Sequence, residues 1–94
     1  MQAMSIVANT SLVLREEYDD YAILFNPDTA EVYGLNPISV TIYKHLDGKN
    51  SLDDIMSILR NTYINIPDSA DQIVKEYLDK LLERGLAFNQ RNQI

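Results

Sequence analysis

The sequence predicts an α+β domain in which a three-stranded antiparallel sheet is followed by three helices, in an order similar to that of winged helix-turn-helix domains. Three observations support this prediction. Short runs of branched and aromatic residues occupy the first third of the chain. Apolar residues then recur every three or four positions. Residues typical of turns and helix ends separate the segments.

The length of 94 residues is typical of one domain. We expect this domain to span residues 11–88. A flexible lead-in at residues 1–10 and a polar tail at residues 89–94 are expected on either side, because neither end carries a regular apolar period.

The three strands are predicted at residues 12–15, 21–25 and 31–35, where branched and aromatic residues concentrate. Pro27 presets the backbone for a turn between the second and third strands. In the third strand, the period of two places Glu31, Tyr33 and Leu35 on one face, and Val32 and Gly34 on the other. If the strands pair in sequence order, this strand is an edge of the sheet and offers its backbone to another chain.

The first helix is predicted between two end signals. Asn36 is a good N-cap and Pro37 suits the first helical position, while Gly48 is suited to a helix end. The expected buried face carries Ile38, Ile42 and Leu46, which are four residues apart.

Two further helices are predicted from capping patterns and apolar periods. Ser51 with Asp54, and Ser69 with Gln72, resemble capping boxes, and Gly85 is suited to end the last helix. A short extended segment is expected at residues 86–88. The expected buried stripes are Leu52, Ile55, Met56, Leu59 and Tyr63 in the second helix, and Ile73, Val74, Tyr77, Leu78, Leu81 and Leu82 in the third.

Composition excludes several classes of protein. The chain has no cysteine, so it cannot form disulfides, a thiolate zinc site or an iron–sulfur cluster held by its own thiolates. Residues 1–10 lack the features of a signal peptide, and no run approaches the roughly 18–20 apolar residues of a membrane helix. We therefore expect a cytoplasmic protein that does not enter a membrane and needs no cofactor.

Candidate catalytic and metal-binding groups are sparse. Residues 15–20 include four acidic side chains, but their spacing lacks the alternating ligands and the glycine of a calcium loop, which favours a solvated turn. His45 lies near Asp47, yet no serine, cysteine or second histidine completes a catalytic set. A histidine at a helix end more often interacts with the last carbonyl groups. These observations argue against an enzyme.

The charge pattern argues against nucleic-acid binding. The chain has a net charge of −6. The helix predicted at residues 69–84 carries Lys75, Lys80 and Arg84 against four acidic residues, so it would not attract phosphate groups.

The order of several short motifs over residues 12–88 resembles the PqqD-like family. That family consists of small proteins or domains that recognise ribosomally made, post-translationally modified peptides. The resemblance is carried by residues 25–29, Val32, Leu35-Asn36, Ile42-Tyr43, Leu46-Asp47-Gly48, residues 51–55, residues 77–81 and Gly85-Leu86. Ser39 and Tyr43 depart from the glycine and tryptophan found in many members, and both changes are mild.

The resemblance implies a non-catalytic module that binds the leader segment of a precursor peptide. The leader would add as a strand to the third strand, lie against the last helix, and be presented to a maturation enzyme, often a radical-SAM protein. On this basis the candidate peptide-binding residues are Glu31, Val32, Tyr33, Gly34, Leu35, Ile73, Tyr77, Lys80, Leu81 and Arg84. Ile73 and Leu81 are equally compatible with ordinary core positions.

Two alternatives remain open from the sequence. The chain could be a winged-helix-like regulator that works through protein contacts. An unpaired edge strand could also join two copies into a homodimer. Lys80 and Arg84 suit an acidic leader residue, whereas the net charge of −6 would favour a basic leader through long-range attraction.

Overall fold

The computed structural model describes residues 5–16 and 21–90 and confirms the predicted α+β fold. Strands β2 (Val13–Glu16), β3 (Ala22–Phe25) and β4 (Val32–Leu35) form an antiparallel sheet in the order β2-β3-β4. Helices α1 (Pro37–Lys44), α2 (Leu52–Thr62) and α3 (Ala70–Glu83) follow it. None of the helices in the described part of the chain is long and apolar enough to cross a membrane.

A second sheet, which the sequence did not predict, joins the two ends of the domain. Strand β1 (Ser5–Ala8) pairs antiparallel with β5 (Ala87–Gln90). Ile6 in β1 is only 6% exposed and belongs to the core. The expectation of a flexible lead-in is therefore wrong for residues 5–8. At the other end, Asn89 and Gln90 are in β5, so these two residues are not part of a polar tail. Most of the acidic turn expected at residues 15–20, together with residues 1–4 and 91–94, lies outside the described residues.

Helix α1 begins as predicted and ends earlier. The Asn36 side chain accepts a hydrogen bond from the backbone N–H of Ser39 at 2.8 Å. The helix ends at Lys44 because the following residues pair with β1 instead. The backbone N–H of Ala8 donates to the carbonyl of Leu46 at 2.8 Å, and that of Gly48 to the carbonyl of Ile6 at 3.2 Å.

The early end of α1 also alters which side chains the helix buries. Val40, Ile42 and Tyr43 are buried, and Leu46 is buried beyond the helix end. Ile38 is exposed, so its place on the predicted buried face was wrong.

Helix α2 matches its prediction closely. Both hydrogen bonds of the capping box between Ser51 and Asp54 are present. Ile55, Met56 and Leu59 are almost completely buried, whereas Leu52 and Tyr63 pack at the margin of the core.

Helix α3 begins differently from its prediction. Ser69 has helical backbone angles and its side chain makes no capping hydrogen bond. The chain instead enters the helix through a tight turn, in which the N–H of Ala70 donates to the carbonyl of Pro67 at 3.0 Å. Val74, Leu78 and Leu81 face the core.

Candidate functional site

Strand β4 is an edge of the three-stranded sheet, as the sequence predicted. It pairs with β3 on one side, and within the described residues no strand pairs with its other side. One row of backbone N–H and C=O groups is therefore available for a further strand.

The turn before β4 holds the edge strand in place. The Asn26 side chain accepts a hydrogen bond from the N–H of Asp28 at 2.9 Å. The backbone N–H of Asn26 donates to the carbonyl of Glu31 at 2.9 Å, and the N–H of Ala30 donates to the carbonyl of Asn26 at 2.7 Å. These bonds close the hairpin, so the position of β4 is fixed relative to β3.

The end of α3 is set by a Schellman motif. Gly85 has a positive φ of 74°, and its N–H donates to the carbonyl of Leu82 at 3.2 Å. The N–H of Leu86 donates to the carbonyl of Leu81 at 2.9 Å. This reversal brings the Leu86 side chain back beside the last turns of α3.

An open groove of about 300 Å³ lies between β4 and α3. Of the ten residues predicted for peptide binding, the structure brings seven together along it. The lining residues are Tyr33, Gly34, Leu35, Tyr77, Lys80, Leu81, Arg84 and Leu86. Their common location is a structural fact, while their role in peptide binding stays a prediction.

The other three predicted residues lie outside the groove lining. Glu31 is exposed at the start of β4, and Val32 points to the opposite face of the sheet. Ile73 is 62% exposed, which contradicts its predicted place in the buried stripe of α3. It lies one turn before Tyr77 on the same side of the helix, so it extends the line of the groove.

Leu86 was missed as a lining residue. The sequence carried a signal for it, because a Schellman motif is often accompanied by an apolar contact between the residue after the glycine and the last turns of the helix. Leu86 holds that position after Gly85.

The helix side of the groove carries two positive charges. Within the described part of the chain, neither Lys80 nor Arg84 makes an ion pair, whereas Lys75, on another side of α3, lies 3.5 Å from the carboxylate of Asp79. In a protein with a net charge of −6, this wall therefore carries two cations that no acidic side chain of the described residues neutralises by direct pairing.

A buried hydroxyl group lies beside these charges. The Tyr77 hydroxyl is shielded from solvent and makes no hydrogen bond of good geometry with the described residues. Burial raises the pKa of Tyr77, and the nearby Ser39 side chain partly opposes that rise. A buried donor without a partner is costly, so this hydroxyl destabilises the fold at neutral pH.

Tyr43 of α1 holds one of the residues that line the groove in place. Its hydroxyl donates to the carbonyl of Leu86 at 3.0 Å and thereby ties α1 to the segment after α3. Burial raises the pKa of Tyr43, with a smaller contribution from the nearby Tyr77. Tyr43 itself is only 6% exposed and belongs to the core.

The groove combines features that suit a bound extended peptide. It has an open backbone edge, apolar side chains and two cations. His45 is not among the lining residues, and its Nδ1 lies 2.7 Å from the carbonyl oxygen of Thr41 within its own helix. The described residues contain no cluster of three or more histidine, cysteine, aspartate or glutamate side chains placed to hold a metal ion.

Comparison with protein families identifies the chain. Residues 21–87, more than half of the sequence, match the family model of coenzyme PQQ synthesis protein D. The chain belongs to the PqqD family. The match includes β3, β4 and all three helices, and therefore every residue that lines the groove. No curated protein matches the sequence.

Solved structures show the same PqqD-like fold at low sequence identity. TbiB1 in complex with the TbiA(beta) leader peptide has 16% identity and a TM-score of 0.73, over 92% of this chain and 99% of TbiB1. The heterocyclase TruD has 13% identity and a TM-score of 0.66, over 97% of this chain. A heterocyclase in complex with substrate and cofactor has 14% identity and a TM-score of 0.65, over 99% of this chain. The matched region is only 12% and 11% of the two heterocyclase chains.

Proposed function

We propose that this protein is a non-catalytic module that binds the leader segment of a ribosomally synthesised precursor peptide. The leader adds as a fourth strand to the open edge of β4 and lies in the groove against α3. The module then presents the bound peptide to a maturation enzyme, of the radical-SAM class or another class that modifies peptides.

The observation that carries this proposal is an open strand edge directly beside an apolar groove. Strand addition draws affinity from main-chain hydrogen bonds and selectivity from pockets for alternate side chains. Tyr33 and Leu35 face the groove from β4, while Leu81 and Leu86 line it from the other side. Every second side chain of an added strand would therefore enter an apolar site.

The polar groups of the groove also suit a peptide. Lys80 and Arg84 can pair with an acidic side chain of the peptide. The fold of TbiB1, which is described in complex with a leader peptide, supports the peptide as ligand. The heterocyclases support an enzyme partner, since there a similar fold forms a small part of a long enzyme chain. A radical-SAM partner would have to hold its own iron–sulfur clusters, because this chain has no cysteine.

The first test is a calorimetric titration of the protein with the short precursor peptide encoded nearest to its gene. We expect saturable one-to-one binding that is lost when the leader half of the peptide is deleted. No binding by a folded protein to this peptide would contradict the proposal and would favour a regulator that acts through protein contacts.

Proline variants test the strand-addition mode. Val32→Pro removes a backbone donor that faces the open side of β4. The bond from the Asn26 N–H to the Glu31 carbonyl makes those two residues a hydrogen-bonded pair, so by alternation Tyr33 bonds to β3 and Val32 faces the open edge. We expect the peptide affinity of Val32→Pro to fall below detection while the helical circular dichroism stays native. Tyr33→Pro removes a bond to β3 and should weaken peptide binding by loosening the edge strand.

Val13→Pro is the control for placing a proline in this sheet, because Val13 lies on β2, the other edge, and at the start of that strand, where proline is tolerated. Unchanged affinity in a folded Val32→Pro protein would refute strand addition. A dimer of the free protein that Val32→Pro dissociates would show that a second copy occupies the edge.

A further inference from the structure

Gly34 lies within β4, and nothing in the fold requires a glycine there. Its pairing with β3 continues without interruption from Val32 to Leu35, so it does not form a bulge. Its φ is not among the positive values that favour glycine. Its two chain neighbours aside, a Cβ atom added at Gly34 would meet no atom of the described residues within 4 Å. Because a glycine weakens a strand, its presence at this exposed edge indicates a place that another chain approaches closely.

The missing side chain leaves a gap on the face of the sheet that points away from the helices. The period of two places Gly34 and Val32 on this face, opposite to Tyr33 and the buried Leu35. Ile23 lies directly across from Gly34 on β3 and is half-buried. Val32, two residues earlier on β4, is 55% exposed. We call the gap between these two apolar side chains and the open edge the Gly34 notch.

The notch coincides with a hydrogen-bonding position of the open edge. The alternation that directs the N–H and C=O groups of Val32 away from β3 does the same for Gly34, two residues later. An antiparallel leader strand would therefore form hydrogen-bonded pairs with both residues. In such a pair the two side chains lie on the same face of the sheet. One leader residue would thus be opposite Gly34, with its side chain over the notch.

The dimensions of the notch select a large side chain. Paired Cα atoms are about 5.5 Å apart in a hydrogen-bonded pair and about 4.5 Å apart in the alternate kind. The leader residue would therefore have its Cα about 10 Å from that of Ile23, with only Gly34 between them. Alanine and serine are too short to cross this distance, whereas leucine, methionine or an aromatic side chain can lie over Gly34 and reach Ile23. An aromatic side chain over an edge glycine also helps to fix the register of a strand.

We propose that the Gly34 notch is a specificity subsite that takes one large apolar side chain of the leader, on the side of the sheet opposite to the groove. This inference rests on the proposed function. It means that the leader is recognised on both of its faces. Alternate leader residues enter the groove against α3, and a residue between them covers Gly34. The notch thereby selects among leaders that fit the groove equally well.

The test fills the notch and titrates each variant with the precursor peptide encoded nearest to the gene. Gly34→Val should raise the peptide Kd about tenfold or more, because one large apolar side chain of the leader loses its burial. Gly34→Ala should raise it less. The urea midpoint of both variants should stay the same or increase, since the added atoms meet no others and valine favours strands. Val13→Leu is the control, because it adds apolar volume to the same face on β2, away from the open edge, and should leave the Kd unchanged.

An alanine scan of the leader separates this subsite from a general need for glycine in the strand. At one large apolar position, alanine should weaken binding to the unmodified protein and leave binding to Gly34→Val unchanged or improved. If the valine variant does not fold, Gly34→Ala serves in the same scan.

Two results would overturn the inference: an unchanged Kd in the folded Gly34→Val protein, or a loss of affinity that is equal for every leader variant. A dimer of the free protein that Gly34→Val dissociates would assign the notch to a second copy and also overturn it. Failure of the unmodified protein to bind the peptide is a separate result, which concerns the proposed function instead.

Discussion

Two tyrosine hydroxyls near the groove have opposite hydrogen-bonding situations. The Tyr43 hydroxyl donates to the carbonyl of Leu86, whereas the Tyr77 hydroxyl is buried without a good partner among the described residues. Burial raises the pKa of both groups above the ordinary value of 10.0. The two residues therefore respond alike to high pH and differently to removal of the hydroxyl.

The sign of the pH effect follows from the raised pKa values. Above about pH 10 the unfolded chain loses these protons while the folded chain retains them, so the folded state is disfavoured as pH rises. The free energy of unfolding should keep its highest value below about pH 10 and should fall as the pH rises through the folded-state pKa values. Urea unfolding at several pH values measures this loss. Tyr43→Phe and Tyr77→Phe should each make this loss of stability at high pH smaller.

At neutral pH the two variants should separate. Tyr43→Phe removes a hydrogen bond and should cost about 1 kcal/mol of unfolding free energy, whereas Tyr77→Phe should cost nothing or stabilise the protein. A clear loss of stability in Tyr77→Phe would show that its hydroxyl has a partner in the free protein.

Among the secondary structure elements, the helix starts show how local patterns differ in strength. Ser51 and Ser69 both precede an acidic or amide residue at the third helical position. Only Ser51 forms its capping box. At Ser69 the backbone is already helical, so the side chain cannot reach the N–H groups that a cap would satisfy.

This difference predicts unequal effects of the same substitution. Ser51→Ala should lower the free energy of unfolding by about 1 kcal/mol, since it removes a capping side chain. Ser69→Ala should change it by less than about 0.5 kcal/mol, the usual range for a surface site without such a role. Urea unfolding of both variants makes the comparison, and an equal cost would contradict the backbone geometry at Ser69.

For the whole molecule, the pairing of β1 with β5 closes the fold. Ser5 pairs with Gln90 and Ala8 with Ala87, so residues far apart in sequence lie side by side. The segment after α1 also hydrogen-bonds to β1, since the backbone N–H of Gly48 donates to the carbonyl of Ile6. The described N-terminal residues are thus part of the core that supports α3 and the groove.

Ile6 tests this role of β1. Ile6→Ala should lower the free energy of unfolding by about 2–5 kcal/mol, because it removes buried methyl groups and leaves a cavity. Ile64→Ala makes the same change at an exposed site and should cost less than about 0.5 kcal/mol. Thermal or urea unfolding compares the two, and equal costs would mean that β1 does not pack on the core.

The sequence by itself determined the order of β2, β3, β4 and the three helices, the starts of α1 and α2, the end of α3 and the edge position of β4. These features depend on neighbouring residues: Asn36 and Ser51 cap their own helices, Gly85 reverses its own chain, and the period of two assigns strand faces. Most groove residues followed from the same local patterns together with the family resemblance.

Tertiary structure decided the rest, because it depends on contacts between distant residues. The short run at residues 5–8 becomes a strand only when β5 lies beside it. Helix α1 stops at Lys44, short of Gly48, because the chain after it pairs with β1. Ile73 and Val74 are neighbours with similar side chains, yet the packing of α3 buries Val74 and leaves Ile73 in solvent. An apolar period marks a face of a helix, but only the docking of that helix determines which edge of the face is covered.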